Sequence, residues 1–417
     1  MSATEWKPAT PLELSRFIEE NFQGPRRPLL PVGGRTALHW GGNVPTDSVV
    51  VQTAGLDRIV DYPARDMTIT VEAGLRLEEL HAALKAESQR LPVDVPLARR
   101  ATIGGAIASN TSGPGRFGYG TFRDYVIGIS GVDGQGRLFS AGGRVVKNVA
   151  GYDLCKLLTG SQGTLAVITQ VTLKLKPTVE LRQLVVISTA SCQTLDSILD
   201  RVNTSATRPV LLDVLNPKAA RQVSQESRLD LPLDQSLLVM GYEGNQADVI
   251  WQVQMIQQEL APISVSGLQV LAGEQADQLW SGLAEYQAAS DDPVTVQISL
   301  LPSQGMQVLE ECSQWGLAVQ VHAGNGILIG HLPDRCSDAT AAGELLGRLK
   351  SLVDKHAGTM LLLNGEVDWK PELLRHFSPL PATGLHVRMK QAFDPAHLLS
   401  PGRFWSLSGA EAATAVS

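Results

Sequence analysis

Fifteen of the chain's 39 glycines fall between Gly104 and Gly163. Glycine tolerates positive φ and lets backbone approach another group closely, and it weakens helix and strand interiors. A chain that concentrates this freedom in one segment is expected to build a binding site from backbone there. The rest of the composition narrows the class. A length of 417 residues predicts two or three domains, and 43% apolar with 18% charged residues is globular rather than disordered. Apolar runs such as Leu237–Met240 and Met360–Leu363 are far below the ~18–20 residues that span a bilayer. The opening Met1-Ser-Ala-Thr-Glu-Trp-Lys-Pro8 has no basic flank followed by an apolar stretch, so a cytoplasmic protein without a secretory signal is expected. A net charge of −7 without a sizeable Lys/Arg cluster argues against nucleic acid as a partner. Cys155, Cys192, Cys312 and Cys336 are scattered, which excludes a C-x-x-C metal or iron–sulfur site and reads as four reduced, mostly buried thiols.

Local signals place elements around the glycine-rich stretch. Thr10-Pro11-Leu12-Glu13 offers an N-cap, a first-turn proline and a reciprocal acid, followed by Leu14, Phe17 and Ile18 on one helical face. Leu29–Val32, Ser48–Gln52 and Met67–Glu72 read as strands, and Leu77–Glu87 reads as a helix. Ala101–Gly120 is a glycine-rich stretch with little regular pattern, and its Thr102–Gly120 part is too unusual for a plain loop. Thr164–Lys176 alternates and is expected to be a half-buried strand that closes the first domain at Pro177. Helices are then expected over Gln246–Leu260 and Thr340–His356. The boundaries are 1–177, a second α+β domain over 178–375, and a C-terminal segment over 376–417.

Two glycine motifs bear on chemistry. Pro31-Val-Gly-Gly-Arg-Thr36 ends a short strand, where successive backbone N–H groups can cradle an anion. Gly113-Pro-Gly-Arg-Phe-Gly118 matches G-x-G-x-x-G, but no buried strand precedes it and Pro114 removes a donor, so a dinucleotide fingerprint is rejected. The ordered series then continues through Arg123-Asp124, Gly142-Gly143, Lys147-Asn-Val-Ala-Gly-Tyr-Asp153 and Gly160-Ser-Gln-Gly-Thr-Leu165.

This series, with Phe393-Asp394-Pro395 and Leu399-Ser-Pro-Gly402, resembles the FAD-binding domain of the vanillyl-alcohol-oxidase type, the PCMH fold. The Lys147–Asp153 run and the length are most similar to the FAD-binding E subunits of bacterial glycolate dehydrogenase, also called glycolate oxidase. The resemblance implies an α+β chain with a PCMH-type FAD-binding domain and an α+β cap, an antiparallel sheet with helices. It implies non-covalent FAD in a groove between them, because Arg35 stands where some members carry a flavin-linking histidine, and His39 is read as structural. It assigns Val32, Gly33, Gly34, Arg35, Thr36 and Leu38 to the pyrophosphate. Thr102, Ile103, Gly104, Gly105, Ser109, Asn110, Gly113 and Arg116 would contact the ribityl chain and flavin edge, and Gly163, Val167 and Ile168 the rings. Arg116, Lys147 and Arg403 are candidates for a cation near the flavin.

Related 2-hydroxy-acid dehydrogenases carry H-x-G-D-G-N-x-H and G-E-H-G motifs that bind a metal and supply a base. Here His322-Ala-Gly-Asn-Gly-Ile-Leu-Ile329 keeps the first histidine, and Gly365-Glu366-Val367-Asp368 keeps the carboxylate. Ile329 and Val367 replace the second ligand and the base, so no catalytic or metal-binding residue is assigned. The resemblance therefore implies a flavin-carrying subunit with a degenerate substrate site. Its partners would be a second flavin subunit holding the substrate and an iron–sulfur subunit, and contact with a membrane would be peripheral, through partners. Two other readings stay open. One is a self-sufficient D-2-hydroxy-acid dehydrogenase or oxidase using cap residues such as His331, His356, Arg388 or Lys390. The other is a non-catalytic scaffold.

Overall fold

The computed structural model describes residues 5–144, 152–288, 292–377 and 383–403, so Lys147 lies outside the described residues. The chain divides into two compact units. One comprises Met1–Ser112, Thr121–Thr178 and Pro379–Ser417, and the other Gly113–Gly120 and Val179–Ser378. The short Gly113–Gly120 segment thus belongs to the second unit, which a single break near 177 does not anticipate.

In the first unit, Thr10 caps the helix Pro11–Gln23 by accepting from the Glu13 N–H at 3.1 Å, and Leu14 and Ile18 are fully buried. They pack with Leu29, Val49, Val51, Val132, Val167 and Leu399. Strand Leu29–Val32 runs parallel to Val49–Gln52, which also pairs with Glu5–Trp6. A second sheet of five antiparallel strands runs in the order Ile59–Asp61, Thr68–Glu72, Ala166–Lys174, Val126–Asp133, Leu138–Gly142. Strand Ala166–Lys174 is therefore central and nearly all buried rather than half-buried. Alternation misled because threonine serves here as an internal residue: Thr172 is buried and its hydroxyl lies 3.0 Å from that of Thr70 on the neighbouring strand.

The C-terminal helix Thr383–Phe393 leads back into this unit. The Leu29 N–H donates to the Leu398 carbonyl at 2.7 Å, and the Ser400 N–H donates to the Leu29 carbonyl at 2.8 Å. The carboxylate of Asp394 is fully buried. It accepts from the N–H groups of Leu398 and Leu399 and from Lys390 Nζ at 2.6 Å. Lys390 Nζ also donates to the carbonyls of Thr164 and Leu399. All three ammonium protons are thus committed. Lys390 fastens the fold, and neither it nor the exposed Arg388 belongs to the cap.

The second unit is built on one antiparallel sheet of eight strands, ordered Gly267–Ala272, Leu181–Thr189, Ser236–Gly244, Leu211–Leu215, Ala318–His322, Ile327–His331, Val294–Ser299, Thr359–Gly365. Helices including Cys192–Thr204, Pro217–Ser227, Gln246–Leu260 and Ala339–Lys355 bury one apolar stripe each. Within this unit the Gly118 N–H donates to the Val210 carbonyl, and Tyr119 Oη donates to Glu243 Oε2 at 2.6 Å. A Cβ at Gly324 would lie 2.2 Å from the Phe117 ring.

Burial pushes the Cys155 thiol up to about 11 and the Cys312 thiol up to about 12. At pH 8 about one in a thousand Cys155 side chains, and fewer of Cys312, would be thiolate. A thiol reagent should therefore modify the part-exposed Cys192 first and reach Cys312 only in denaturant, as read by peptide mass mapping. Equal rates at Cys192 and Cys312 in the native chain would contradict this packing.

Candidate cofactor site

The first unit contains a cleft with about 760 Å³ of empty space, part of it open to solvent. Every residue that lines it belongs to that unit. One wall is the turn after strand Leu29–Val32. The Thr53 hydroxyl donates to the Val32 carbonyl at 3.1 Å and holds the strand end. Gly33 and Gly34 then pass directly against the chain at residues 100–102. A Cβ at Gly33 would sit 2.0 Å from Thr102 Oγ1, and one at Gly34 would sit 1.8 Å from the Arg100 carbonyl oxygen. Arg35 follows with φ +59°, in the left-handed region that non-glycine residues seldom occupy, and pairs with Glu5 at 3.1 Å.

The second wall is the helix Ile103–Ser109, capped by Thr102. The sequence shows little regular pattern over this stretch. Gly104 and Gly105 obscure helical periodicity, but Gly104 is required by contact. Its N–H donates to the Ala73 carbonyl at 2.7 Å, and a Cβ there would lie 2.6 Å from that of Ala73. The third wall is the turn Gly160–Gly163, in which Gln162 and Gly163 both have positive φ. It is tied to the helix by Gly160 N–H donating to the Ile107 carbonyl and Gln162 N–H to the Ala108 carbonyl.

The cleft brings together Val32, Gly33, Gly34, Arg35, Thr36, Leu38, Gly104, Gly105, Ser109, Gly163, Val167 and Ile168 from the sequence reading. Thr102 faces a neighbouring polar depression that shares Gly33, Gly34 and Arg35. Ile103 is fully buried in the core, and Asn110 ends the helix with φ +52°. Gly113 and Arg116 lie in the Gly113–Gly120 segment of the second unit. Sequence reasoning missed Trp40 and Gln162. Gln162 was visible only as a residue inside a glycine turn. Arg403 lines the cleft, and its Nη1 donates to the carbonyls of Leu38 and Trp40.

A glycine-walled turn, apolar Val32, Leu38 and Val167, and a buried Gln162 Oε1 without a donor suit a long, partly anionic, partly aromatic ligand such as FAD.

In the second unit, His322 Nδ1 lies 2.7 Å from Asp213 Oδ1, directly across from it in the register. Asp213 is fully buried and also accepts from Gln320 Nε2 at 2.7 Å. Glu366 is exposed and lies far from this pair. His322 shares its end of the sheet with Ile327, Ser299 and Thr359, whereas Gly365 pairs with Val294 at the other end. Six residues of strand, roughly 20 Å, separate the two ends. Among the described residues, no three His, Cys, Asp or Glu side chains come together as a ligand set. His331 is saturated, with Nδ1 near Thr295 and Asp292 and Nε2 donating to the Tyr286 carbonyl at 3.0 Å. His356 is buried.

Residues 7–142 match a family model described as FAD binding domain. A D-2-hydroxyglutarate dehydrogenase of Xanthomonas citri pv. viticola is 37% identical over 147 residues, covering 35% of this chain and 31% of that protein, so the match spans less than a third of the dehydrogenase. Glycolate oxidase subunit GlcE of Escherichia coli is 27% identical over 361 residues, covering 84% of this chain and 85% of the relative. The solved structure of 4-ethylphenol oxidase from Gulosibacter chungangensis aligns with a TM-score of 0.73 at 13% identity, covering 96% of this chain and 88% of that one. The fold and the site define an FAD-binding flavoprotein of the PCMH type with an α+β second unit. A D-lactate dehydrogenase of Archaeoglobus fulgidus is also similar, 37% identical over 172 residues that cover 41% of this chain and 38% of that protein.

Proposed function

We propose that the chain is the E-type FAD subunit of a multi-subunit glycolate or 2-hydroxy-acid dehydrogenase. It carries flavin for electron transfer, while a second flavin subunit oxidises the substrate and an iron–sulfur subunit takes the electrons onward. Bound FAD supplies a two-electron acceptor that can also release electrons singly. The chain's own residues hold the cofactor against the Gly33–Thr36 turn and the Ile103–Ser109 helix. The observation that carries the reading is the separation of His322 and Glu366 at opposite ends of the second sheet, with Ile329 and Val367 standing between them and a metal-assisted deprotonation. The chain spans 85% of the length of GlcE and 84% of that of GlcD of Bacillus subtilis, which supports a glycolate-oxidase-type subunit. Among the described residues no helix is long and apolar enough to cross a membrane, which is compatible with a cytoplasmic subunit that reaches a membrane through partners.

A second reading, direct oxidation of a D-2-hydroxy acid, is favoured by one feature. Asp213 fixes the His322 ring through Nδ1, and Nε2 has no partner among the described residues. An imidazole held in this way is a competent base. The two readings separate in an anaerobic cuvette. The purified chain should show an oxidised flavin spectrum that glycolate and D-lactate leave unchanged for minutes, and the partner flavin subunit should restore bleaching. Rapid bleaching of the single chain would overturn the first reading, and its loss in His322→Gln would establish the second.

A further inference from the structure

We propose that Arg403 is the cation that neutralises the pyrophosphate of FAD in this cleft, so that capturing the cofactor and docking the C-terminal return are one event. The inference rests on the cleft being the FAD site. Arg403 is 5% exposed. A guanidinium taken out of water is costly unless an anion or a full set of acceptors compensates it. Here Nη1 donates to the carbonyls of Leu38 and Trp40 at 2.5 and 2.6 Å. Among the described residues no carboxylate pairs with it, and Nε and Nη2 have no partner. Burial alone lowers its pKa to about 10. The other cation on the cleft wall, Arg35, is already paired with Glu5 and 41% exposed. The cleft therefore contains one largely buried positive charge that no carboxylate among the described residues compensates and that an entering anion could meet.

The position of that charge follows from the backbone. The Gly42 N–H donates to the Arg403 carbonyl at 3.1 Å. A Cβ at Gly41 or Gly42 would lie 2.6 Å from the Arg403 oxygen or 2.0 Å from that of Gly402. The loop leaving the glycine turn and the C-terminal return are thus in direct contact, and the guanidinium bridges them. On the same cleft, Gln162 Oε1 is a buried acceptor with no donor. The ADP half of FAD meets both needs, with a dianion for Arg403 and an amino or hydroxyl donor for Gln162.

The test uses the full chain stripped of flavin. Calorimetric titration should show that ADP binds and that riboflavin at equal concentration does not. Arg403→Met should raise the FAD Kd about 10- to 100-fold, as loss of charge-assisted hydrogen bonds does, and Arg403→Lys should recover part of it. Hydrogen exchange on the unmodified chain, which needs no variant to fold, should show FAD and ADP slowing residues 38–42 and 398–403 together. A folded Arg403→Met chain with a Kd within twofold of the original would overturn the proposal. So would FAD protection confined to residues 33–36. If the unmodified chain does not bind FAD, the cofactor site itself is misplaced and the inference falls with it.

Discussion

Replacing Asp394 with alanine will cost the first unit about 3–5 kcal/mol, the range for removing one partner of a buried ion pair. That is a large part of the 5–15 kcal/mol that holds a typical domain folded. The substitution strips Lys390 of the carboxylate that pairs with it among the described residues, while both side chains lie at or below 5% exposure. It also leaves the Leu398 and Leu399 N–H groups without acceptors. Burial already pushes the Lys390 ammonium below its usual pKa, and Asp394 opposes that shift. Without the carboxylate the lysine must either lose its proton or draw water into the core. A drop of roughly 6–20 °C in the melting temperature is expected. The double substitution Lys390→Met, Asp394→Leu removes both charges together and should recover much of the loss. A single-variant cost below about 1 kcal/mol would mean that the pair is solvated in solution.

Gly34→Ala should leave the protein colourless. The added methyl carbon would stand 1.8 Å from the Arg100 carbonyl oxygen and 2.6 Å from its carbon. Those atoms are backbone and cannot swing aside, so the Gly33–Thr36 turn must move away from the cleft. Overpacking of this kind costs about 1–3 kcal/mol. The larger effect is on the cofactor, because the turn forms one wall of its proposed site. A fall in FAD affinity beyond about 100-fold corresponds to losing more than ~2.7 kcal/mol of contact. The flavin-to-protein absorbance ratio after gel filtration measures it. Gly384→Ala is the control, since nothing lies within 4 Å of its Cβ position. It should remain yellow and gain up to ~1 kcal/mol of helix stability. Full FAD content in Gly34→Ala would exclude this turn from the cofactor site.

Much of the flavin domain was legible because its signals are local. A cap residue, a proline and a reciprocal acid announced the helix from Pro11, and paired glycines announced the turn at Gly33. What escaped depended on distant partners. The Ile103–Ser109 helix was hidden by glycines whose purpose is contact with Ala73, 31 positions upstream of Gly104. The central place of Ala166–Lys174 could not be read from alternation, because Thr172 finds its partner on another strand. The saturation of Lys390 depends on Thr164, and that of His331 on Tyr286 and Asp292. The two motif remnants looked equivalent in the sequence. Only strand register revealed that they occupy opposite ends of a sheet.

The bridge between Leu29 and Leu399 has a consequence for how the protein is made. These partners are 370 positions apart (399 − 29), and the whole second unit is synthesised between them. As the ribosome works from the N-terminus, the first unit must wait for Lys390, Asp394 and Arg403 until the chain has been made through residue 403. Closing so long a loop is entropically unfavourable and slow, although the penalty grows only with the logarithm of its length. The second unit has no such wait and can fold as an independent body during translation. On the proposed site, cofactor loading is thereby timed to synthesis of the C-terminal return, and a ribosome that stalls before Lys390 leaves a polypeptide with its second unit made and the proposed flavin cleft without Lys390, Asp394 and Arg403.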